Sequence, residues 1–175
     1  LVQLNETIWR GGPADAAPAH ILITFVHNGG LAFGAFEGDE MVGLAFGFLG
    51  IHETPQGRIV KHCSHQMGVH PDHRGKGIGF ALKKAQWQMV RKQGIDLMTW
   101  TYDPLLSQNA YLNIGQLGAI CQTYERELYG NMVDALNAGL ASDRFQVEWW
   151  VNTRRVDRRL DADNYDRISL TDYRK

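Results

Sequence analysis

The stretch from Val69 to Gly79, VHPDHRGKGIG, is the most informative part of this sequence, because a glycine-rich loop with two cations joins an apolar segment to an amphipathic one. Loop glycines let several backbone N–H groups converge on one point, and the N-terminus of a following helix adds about half a positive charge there. Arg74 and Lys76 supply charge-assisted hydrogen bonds. The stretch therefore predicts a strand, an anion-binding loop and a helix, and a pyrophosphate fits such a loop.

The spacing of this loop excludes two common phosphate sites. A P-loop needs Ser or Thr after its lysine, and Lys76 is followed by Gly77. A dinucleotide-binding fingerprint needs G-x-G-x-x-G, whereas Gly75, Gly77 and Gly79 are spaced G-x-G-x-G. An ordinary glycine-rich turn remains the alternative to a phosphate site.

Composition limits the classes of function. A chain of 175 residues predicts one domain, and a net charge of −1 gives no electrostatic case for a nucleic-acid or membrane partner. No apolar run approaches the ~20 residues of a membrane span, and no signal peptide is visible. Cys63 and Cys121 make no disulfide framework, so we expect a reducing, cytoplasmic setting. The chain opens at Leu1 without methionine, which leaves open whether residues precede it.

Hydrophobic periodicity divides the chain before the loop into two helices and then strands. The short segment Glu37-Gly38-Asp39-Glu40 reads as a hairpin turn. The expected elements are helices over 1–9 and from Asp15 to about His27, strands over 31–36 and 41–49, a loop over 51–58, and a strand over 59–69.

The helix after the loop has the clearest pattern. Its expected apolar stripe consists of Ile78, Ala81, Leu82, Ala85 and Met89, and Gly94 lies just past its end. Beyond it we expect a strand over 95–101, a short helix over 109–117 that ends at Gly118, and strands over 119–124 and 145–151. Residues 1–151 are expected to form the domain, and the charged residues 152–175 a solvated C-terminal arm.

Element order and motifs together resemble the GNAT superfamily of N-acetyltransferases over roughly residues 1–151. Arg74, Gly77 and Gly79 fit its pattern [QR]-x-x-G-x-[GA], and NAYLNIGQLGA is similar to its helix motif in Ala110 and Gly118. The strings WTYDPL, NAYLN and SDRFQVEWW resemble a bacterial branch of predicted acetyltransferases of unknown substrate. The resemblance implies an α/β (α+β) fold, with a mixed central sheet flanked by helices and the first strand absent.

The same resemblance implies acetyl-CoA, or another acyl-CoA, as co-substrate. Backbone amides of the strand before the loop would pair with pantetheine and polarise the thioester, and the loop would hold the pyrophosphate. Asn109 would contact pantetheine, or else cap its helix. The implied cofactor-binding residues are Met67, Gly68, Val69, Arg74, Gly75, Lys76, Gly77, Ile78, Gly79 and Asn109.

An amine acceptor needs a base, since a lysine-like amine titrates near 10.4. Regular strand alternation places Cys63, His65 and Met67 on one face, and His65 is our candidate for the base or for ordering a relay water. His62 is the alternative if a bulge reverses the alternation. Either histidine is equally consistent with a structural, hydrogen-bonded role.

The leaving-group step is where the sequence departs from the family. The family's general acid is usually a tyrosine four residues before the glycine, and here that position is Ile114. Tyr111, one turn earlier, is the candidate acid, and departure of the thiolate without a dedicated acid is the alternative. Asp103 is a candidate for holding a cationic acceptor, or forms an Asx-type turn with Pro104.

The sequence analysis thus predicts direct transfer of an acetyl or short acyl group to a primary amine on a small molecule or peptide. The rival hypothesis is a non-catalytic CoA-binding sensor or interaction module on the same fold. A metal site is not expected, because the spacing of His62, Cys63, His65, His70 and His73 matches no familiar zinc module. A sheet edge left open by the missing first strand favours a homodimer.

Overall fold

Residues 1–9, 17–130 and 141–161 are described by a computed structural model. In chain order its elements are α1 (Val2–Trp9), α2 (Ala19–His27), β1 (Leu31–Glu37), β2 (Glu40–Thr54), β3 (Gly57–Val69), a 3₁₀ turn (Pro71–His73), α3 (Ile78–Lys92), β4 (Leu97–Tyr102), α4 (Ser107–Ala110), a π-helical segment (Tyr111–Gln116), β5 (Ile120–Glu125), β6 (Arg144–Trp150) and α5 (Arg154–Leu160). Among the described residues, no helix is long and apolar enough to cross a bilayer.

Six strands form one mixed sheet in the order β1-β2-β3-β4-β6-β5. The β3–β4 pair is parallel, and every other neighbouring pair is antiparallel. In the described part of the chain no strand precedes Leu31, so β1 lies at an edge of the sheet. The expected mixed α/β architecture is confirmed.

Each face of the sheet carries its own hydrophobic core. On one face, α1 and α2 pack their apolar residues against Leu44 and Phe46 of β2. The other core includes Val90 of α3, Leu117 after the π-helical segment and Val156 of α5, around the fully buried Trp149 of β6. The sheet is thus covered by helices on both sides, which leaves its strand ends and edges as the places where a ligand can enter.

The expected hairpin at residues 37–40 is confirmed, but the expected loop over 51–58 is wrong. Strands β2 and β3 continue as paired partners to Thr54 and Gly57, and only Pro55 and Gln56 form the turn. Pro55 and Gly57 do mark a turn, but it is shorter than expected. Ile51 pairs with Val60, so the two strands stay hydrogen-bonded up to the turn.

Two helices differ from their expected form. Helix α2 begins at Ala19 after Pro18 rather than near Asp15, which lies outside the described residues. Helix α3 has the expected length, and Gly94 follows it with φ +72°. Its expected apolar stripe is wrong in part, because Met89 is 39% exposed. The residues that α3 buries are Leu82, Lys83, Gln86 and Val90.

The residues directly after Thr153 form a helix that packs on the domain, and not a solvated arm. Thr153 accepts a hydrogen bond from the Val156 amide and starts α5, which buries Val156 and Leu160 against the core. Two apolar residues four positions apart form one stripe on this highly charged helix. The expected solvated arm is therefore wrong for residues 154–160, and residues 162–175 lie outside the described part.

Candidate active site

A β-bulge in β3 shapes the centre of the sheet. Phe46 of β2 pairs with Gln66, but the next residue, Gly47, pairs with Ser64, so His65 is the extra residue. A bulge of this kind increases local twist and tends to end pairing with the next strand. No signal in the sequence located it, although His65 was singled out for its chemistry.

The bulge changes which side chains share a face. The Ser64 hydroxyl lies under α3, whereas the Gln66 side chain lies on the α1 side and accepts a hydrogen bond of 2.6 Å from Asn5 Nδ2. Met67 lies beside Gly79 of α3. The regular alternation expected from the sequence is therefore wrong, because Gln66 and Met67 have exchanged faces.

Strands β3 and β4 separate two residues before the bulge. Their only paired positions are His62 with Met98 and Cys63 with Thr99. The described β3 residues from Ser64 to Val69 have no partner on the β4 side, although β2 pairs with them on the other side. Backbone N–H and C=O groups along this open edge need partners, so a ligand can be bound there as an added strand.

The glycine loop lies at the end of this open edge. Gly75 and Gly77 have φ of +77° and +79°, a conformation that favours glycine, and a Cβ on either would meet no atom within 4 Å. Gly77 is the N-cap residue of α3 and makes no side-chain capping bond. The first N–H groups of the helix are thus left to a ligand, close in sequence to the exposed cations Arg74 and Lys76.

Hydrogen bonds from loop side chains to β3 and β1 fix the position of the glycine loop. Arg74 Nε donates to the Val69 carbonyl oxygen at 3.3 Å. His73 Nδ1 lies 2.8 Å from a carboxylate oxygen of Glu37 at the end of β1 and 3.5 Å from Lys76 Nζ. The loop histidine therefore ties the loop to the sheet, which is a positioning role and not a chemical one.

A buried polar cluster lies under α3 where the two strands separate; we call it the Lys83 cluster. Lys83 Nζ donates to Ser64 Oγ at 2.8 Å and lies 3.4 Å from Gln86 Oε1. The Gln86 amide nitrogen lies 3.1 Å from His62 Nε2. Below the ammonium, the Trp100 ring centroid is 3.6 Å away. Sequence reasoning missed this cluster, because a lysine in an amphipathic helix is normally read as exposed.

Burial controls the protonation of the cluster. It lowers the pKa of Lys83 from 10.5 to about 7. Burial, and then the positive charge of Lys83, lower the pKa of His62 to about 4. None of the ion pairs among the described residues includes Lys83. The ammonium form of Lys83 thus has a hydroxyl, an amide and an aromatic face as its partners.

The π-helical segment alters the position where the family's tyrosine is expected. A π turn contains one more residue than an α turn, so the residue one turn before Gly118 shifts from Ile114 towards Asn113. Asn113 is buried, and its Oδ1 accepts a hydrogen bond from Trp100 Nε1 at 3.3 Å. An amide, which cannot act as an acid, therefore points towards the Lys83 cluster.

The structure also places the three remaining polar candidates, Tyr111, Asp103 and Asn109. Tyr111 begins the π-helical segment and is 60% exposed. Asp103 Oδ1 accepts a hydrogen bond of 2.8 Å from the Leu105 amide, which confirms the Asx-type turn. Asn109 lies inside a helix that begins at Ser107, so the capping role considered for it is wrong.

The two β3 histidines occupy opposite environments. His62 is fully buried in the Lys83 cluster, as expected of a structural histidine. The His65 ring is exposed, with its centroid 5.5 Å from that of Phe46 and 5.8 Å from that of Phe48. Partial burial lowers the pKa of His65 from its ordinary value, which favours the neutral ring. Across the described ranges, no group of three or more His, Cys, Asp or Glu side chains is placed to hold a metal ion.

Comparison with known proteins agrees with this geometry. The family profile "Acetyltransferase (GNAT) domain" matches residues 28–126. This chain belongs to the GNAT acetyltransferase family. No curated protein sequence matches this GNAT chain significantly. The matched range contains the open edge of β3, the glycine loop and the Lys83 cluster.

Solved structures with similar folds include several acetyltransferases of low sequence identity. An aminoglycoside 6'-acetyltransferase type Ii has a TM-score of 0.64 at 18% identity, covering 88% of this chain and 89% of its own. The ribosomal-protein-S18-alanine N-acetyltransferase from Escherichia coli has a TM-score of 0.61 at 14% identity, with 87% and 88% covered. A GNAT family acetyltransferase from Elizabethkingia anophelis with acetyl-CoA bound has a TM-score of 0.60 at 11% identity, with 83% and 89% covered.

Proposed function

We propose that this protein transfers an acetyl or short acyl group from acyl-CoA directly to a primary amine. The observation that carries the proposal is one continuous track, a strand edge that has no partner strand among the described residues and that leads to a helix N-terminus. It runs along the open edge of β3 from Ser64 to Val69 and ends at the uncapped N-terminus of α3, beside Arg74 and Lys76. An extended amide-containing arm that ends in a pyrophosphate matches this track in both shape and charge.

The proposed cofactor contacts follow the track. The amides of Met67, Gly68 and Val69 pair with pantetheine, and one of them polarises the thioester carbonyl. The residues from Arg74 to Gly79 surround the pyrophosphate through backbone N–H groups and two cations. Asn109, on the helix across the opening, contacts the pantetheine arm. The structurally similar enzyme from Elizabethkingia anophelis holds acetyl-CoA, which supports this choice of co-substrate.

The acceptor amine attacks from the α1–α2 side of the sheet, where His65 is exposed. Neutral His65 accepts the amine proton directly or through a water molecule, and the free oxygen of the Asp103 carboxylate attracts a cationic acceptor. Tyr111 is the candidate acid that the sequence supplies. The structural neighbours include an aminoglycoside acetyltransferase and a ribosomal-protein-S18-alanine N-acetyltransferase, so both small-molecule and peptide amines are candidate acceptors.

A screen for release of free CoA thiol tests this function. We expect acetyl-CoA and a panel of amino acids, polyamines, aminoglycosides and short peptides to give thiol release above background with at least one amine. His65→Ala should lower the turnover number by about 10²- to 10⁴-fold, because a positioned base is lost, while CoA binding is retained. Tight CoA binding without amine-dependent thiol release would instead support a sensor, the role that Ile114 favours.

We also propose that the protein forms a homodimer and works in a reducing compartment. Among the described residues, strand β1 pairs only with β2, and its other edge is open, which supports pairing of the open edge with a second copy in a homodimer. The free thiols of Cys63 and Cys121 support a reducing, cytoplasmic compartment.

A further inference from the structure

The Lys83 ammonium lies at the apex of the opening between β3 and β4. Ser64 is the first β3 residue beyond the paired positions, and Trp100 is the first such residue of β4. Lys83 Nζ contacts both, at 2.8 Å from Ser64 Oγ and 3.6 Å from the Trp100 ring centroid. One cation from α3 therefore spans the point at which the two strands part.

The partners of this cation are all neutral. Ser64 and the Trp100 ring face it from the sheet, and Gln86 faces it from α3. His62, which contacts Gln86, is a titratable group whose pKa the charge of Lys83 lowers. His62 is neutral near pH 7, since its pKa is about 4. An unpaired buried ammonium is costly, and an anion that forms beside it during a reaction is stabilised strongly in such a low-dielectric site.

We propose that Lys83 is the group that protonates the departing CoA sulfur. The inference rests on the proposed function, which brings the thioester end of acyl-CoA along β3 to the apex. The amine nitrogen bonds to the thioester carbonyl carbon, and the C–S bond then breaks with its electron pair passing to sulfur. A proton moves from Lys83 Nζ to that sulfur. The acceptor ammonium gives one proton to His65 or water before the attack and a second proton to water as the amide forms, and Lys83 is reprotonated from solvent.

Chemical matching supports lysine in this role. A free thiol has a pKa near 8.5 and the Lys83 ammonium has a pKa of about 7, so the two are close enough for the ammonium to stabilise the departing thiolate and to pass a proton to it. The family's usual acid position is occupied by Ile114, and the residue turned towards the site, Asn113, cannot give up a proton. Lys83 and Asn113 both contact Trp100, Lys83 from α3 and Asn113 from the π-helical segment.

Titration of the thiol of bound CoA tests the proposal without any acceptor amine. The ultraviolet absorbance of the thiolate is followed against pH for the CoA complex, with the desulfo-CoA complex subtracted. We expect the apparent thiol pKa in the wild-type complex to be lower than in Lys83→Met by about one to three units, as for an opposite charge within a few ångströms. Lys84→Met, a neighbour on α3 outside the Lys83 cluster, is the matched control and should behave as wild type.

Two results would overturn the proposal, and they are distinguishable. Equal thiol pKa values in wild type and Lys83→Met, with CoA bound to both, would show that Lys83 does not face the sulfur and would leave the proposed function standing. Absence of CoA binding to the folded wild-type protein would remove the proposed function together with this inference. Circular dichroism of both variants establishes that they are folded.

Discussion

At the scale of single residues, Lys83 makes the stability of this protein depend on pH. Its pKa is about 7 in the folded protein and 10.5 in an unfolded chain, so the unfolded chain binds more protons between these two pH values. The free energy of unfolding should therefore rise with pH across this window. His62, with a folded pKa of about 4, acts in the same direction and lowers stability as the pH falls from 6.5 towards 4.

Replacing Lys83 by Met should abolish the alkaline part of this dependence. We expect the wild-type free energy of unfolding to gain a few kcal/mol relative to the variant between about pH 7 and pH 10, since one pKa unit corresponds to about 1.4 kcal/mol. Urea titrations at a series of pH values measure the difference. The contributions of the other titrating groups are the same in both proteins and cancel in this difference. A difference that does not change with pH would contradict a buried Lys83 with a lowered pKa.

At the scale of elements, α5 shows how a charged segment becomes part of the core. Leu160 is 4% exposed within the core that includes Trp149 and Val156. Leu160→Ala should lower the free energy of unfolding by about 2–5 kcal/mol, because it removes buried methyl groups and leaves a cavity. Urea denaturation checks this value.

The control for this prediction is Arg158→Ala on the same helix. Arg158 is exposed and its Nε donates to the Arg154 carbonyl oxygen on the same helix, so its removal should change stability by no more than about 0.5 kcal/mol. A loss below about 0.5 kcal/mol for Leu160→Ala as well would mean that α5 does not contribute to the core.

Elements set by local signals could be predicted from the sequence. Helix α3 with Gly94 after it, the turn at residues 37–40 and the glycine loop all depend on residues close together in the chain. The bulge at His65 could not be predicted, because it arises from the register of β3 against β2. The burial of Lys83 could not be predicted either, because its partner Ser64 lies 19 residues away on another element.

At the scale of the whole molecule, the bulge, the opening and the loop form one arrangement. The bulge at His65 follows the point where β3 parts from β4, and the exposed edge of β3 leads to the uncapped N-terminus of α3. The Lys83 cluster lies at the inner end of this track and the cations Arg74 and Lys76 at the outer end. Our account requires one extended anionic ligand to occupy the whole of it.

Calorimetric titration with acetyl-CoA and CoA tests this claim most directly, on the wild type and on two glycine variants. Gly77→Glu puts a carboxylate where the pyrophosphate should bind. Gly94→Glu makes the same change at the other end of α3, at a similar φ of +72° and with equally open space around the Cβ. We expect micromolar binding to the wild type and to Gly94→Glu, and its loss in Gly77→Glu. Failure of the folded wild type to bind, or equal binding by all three proteins, would contradict the account.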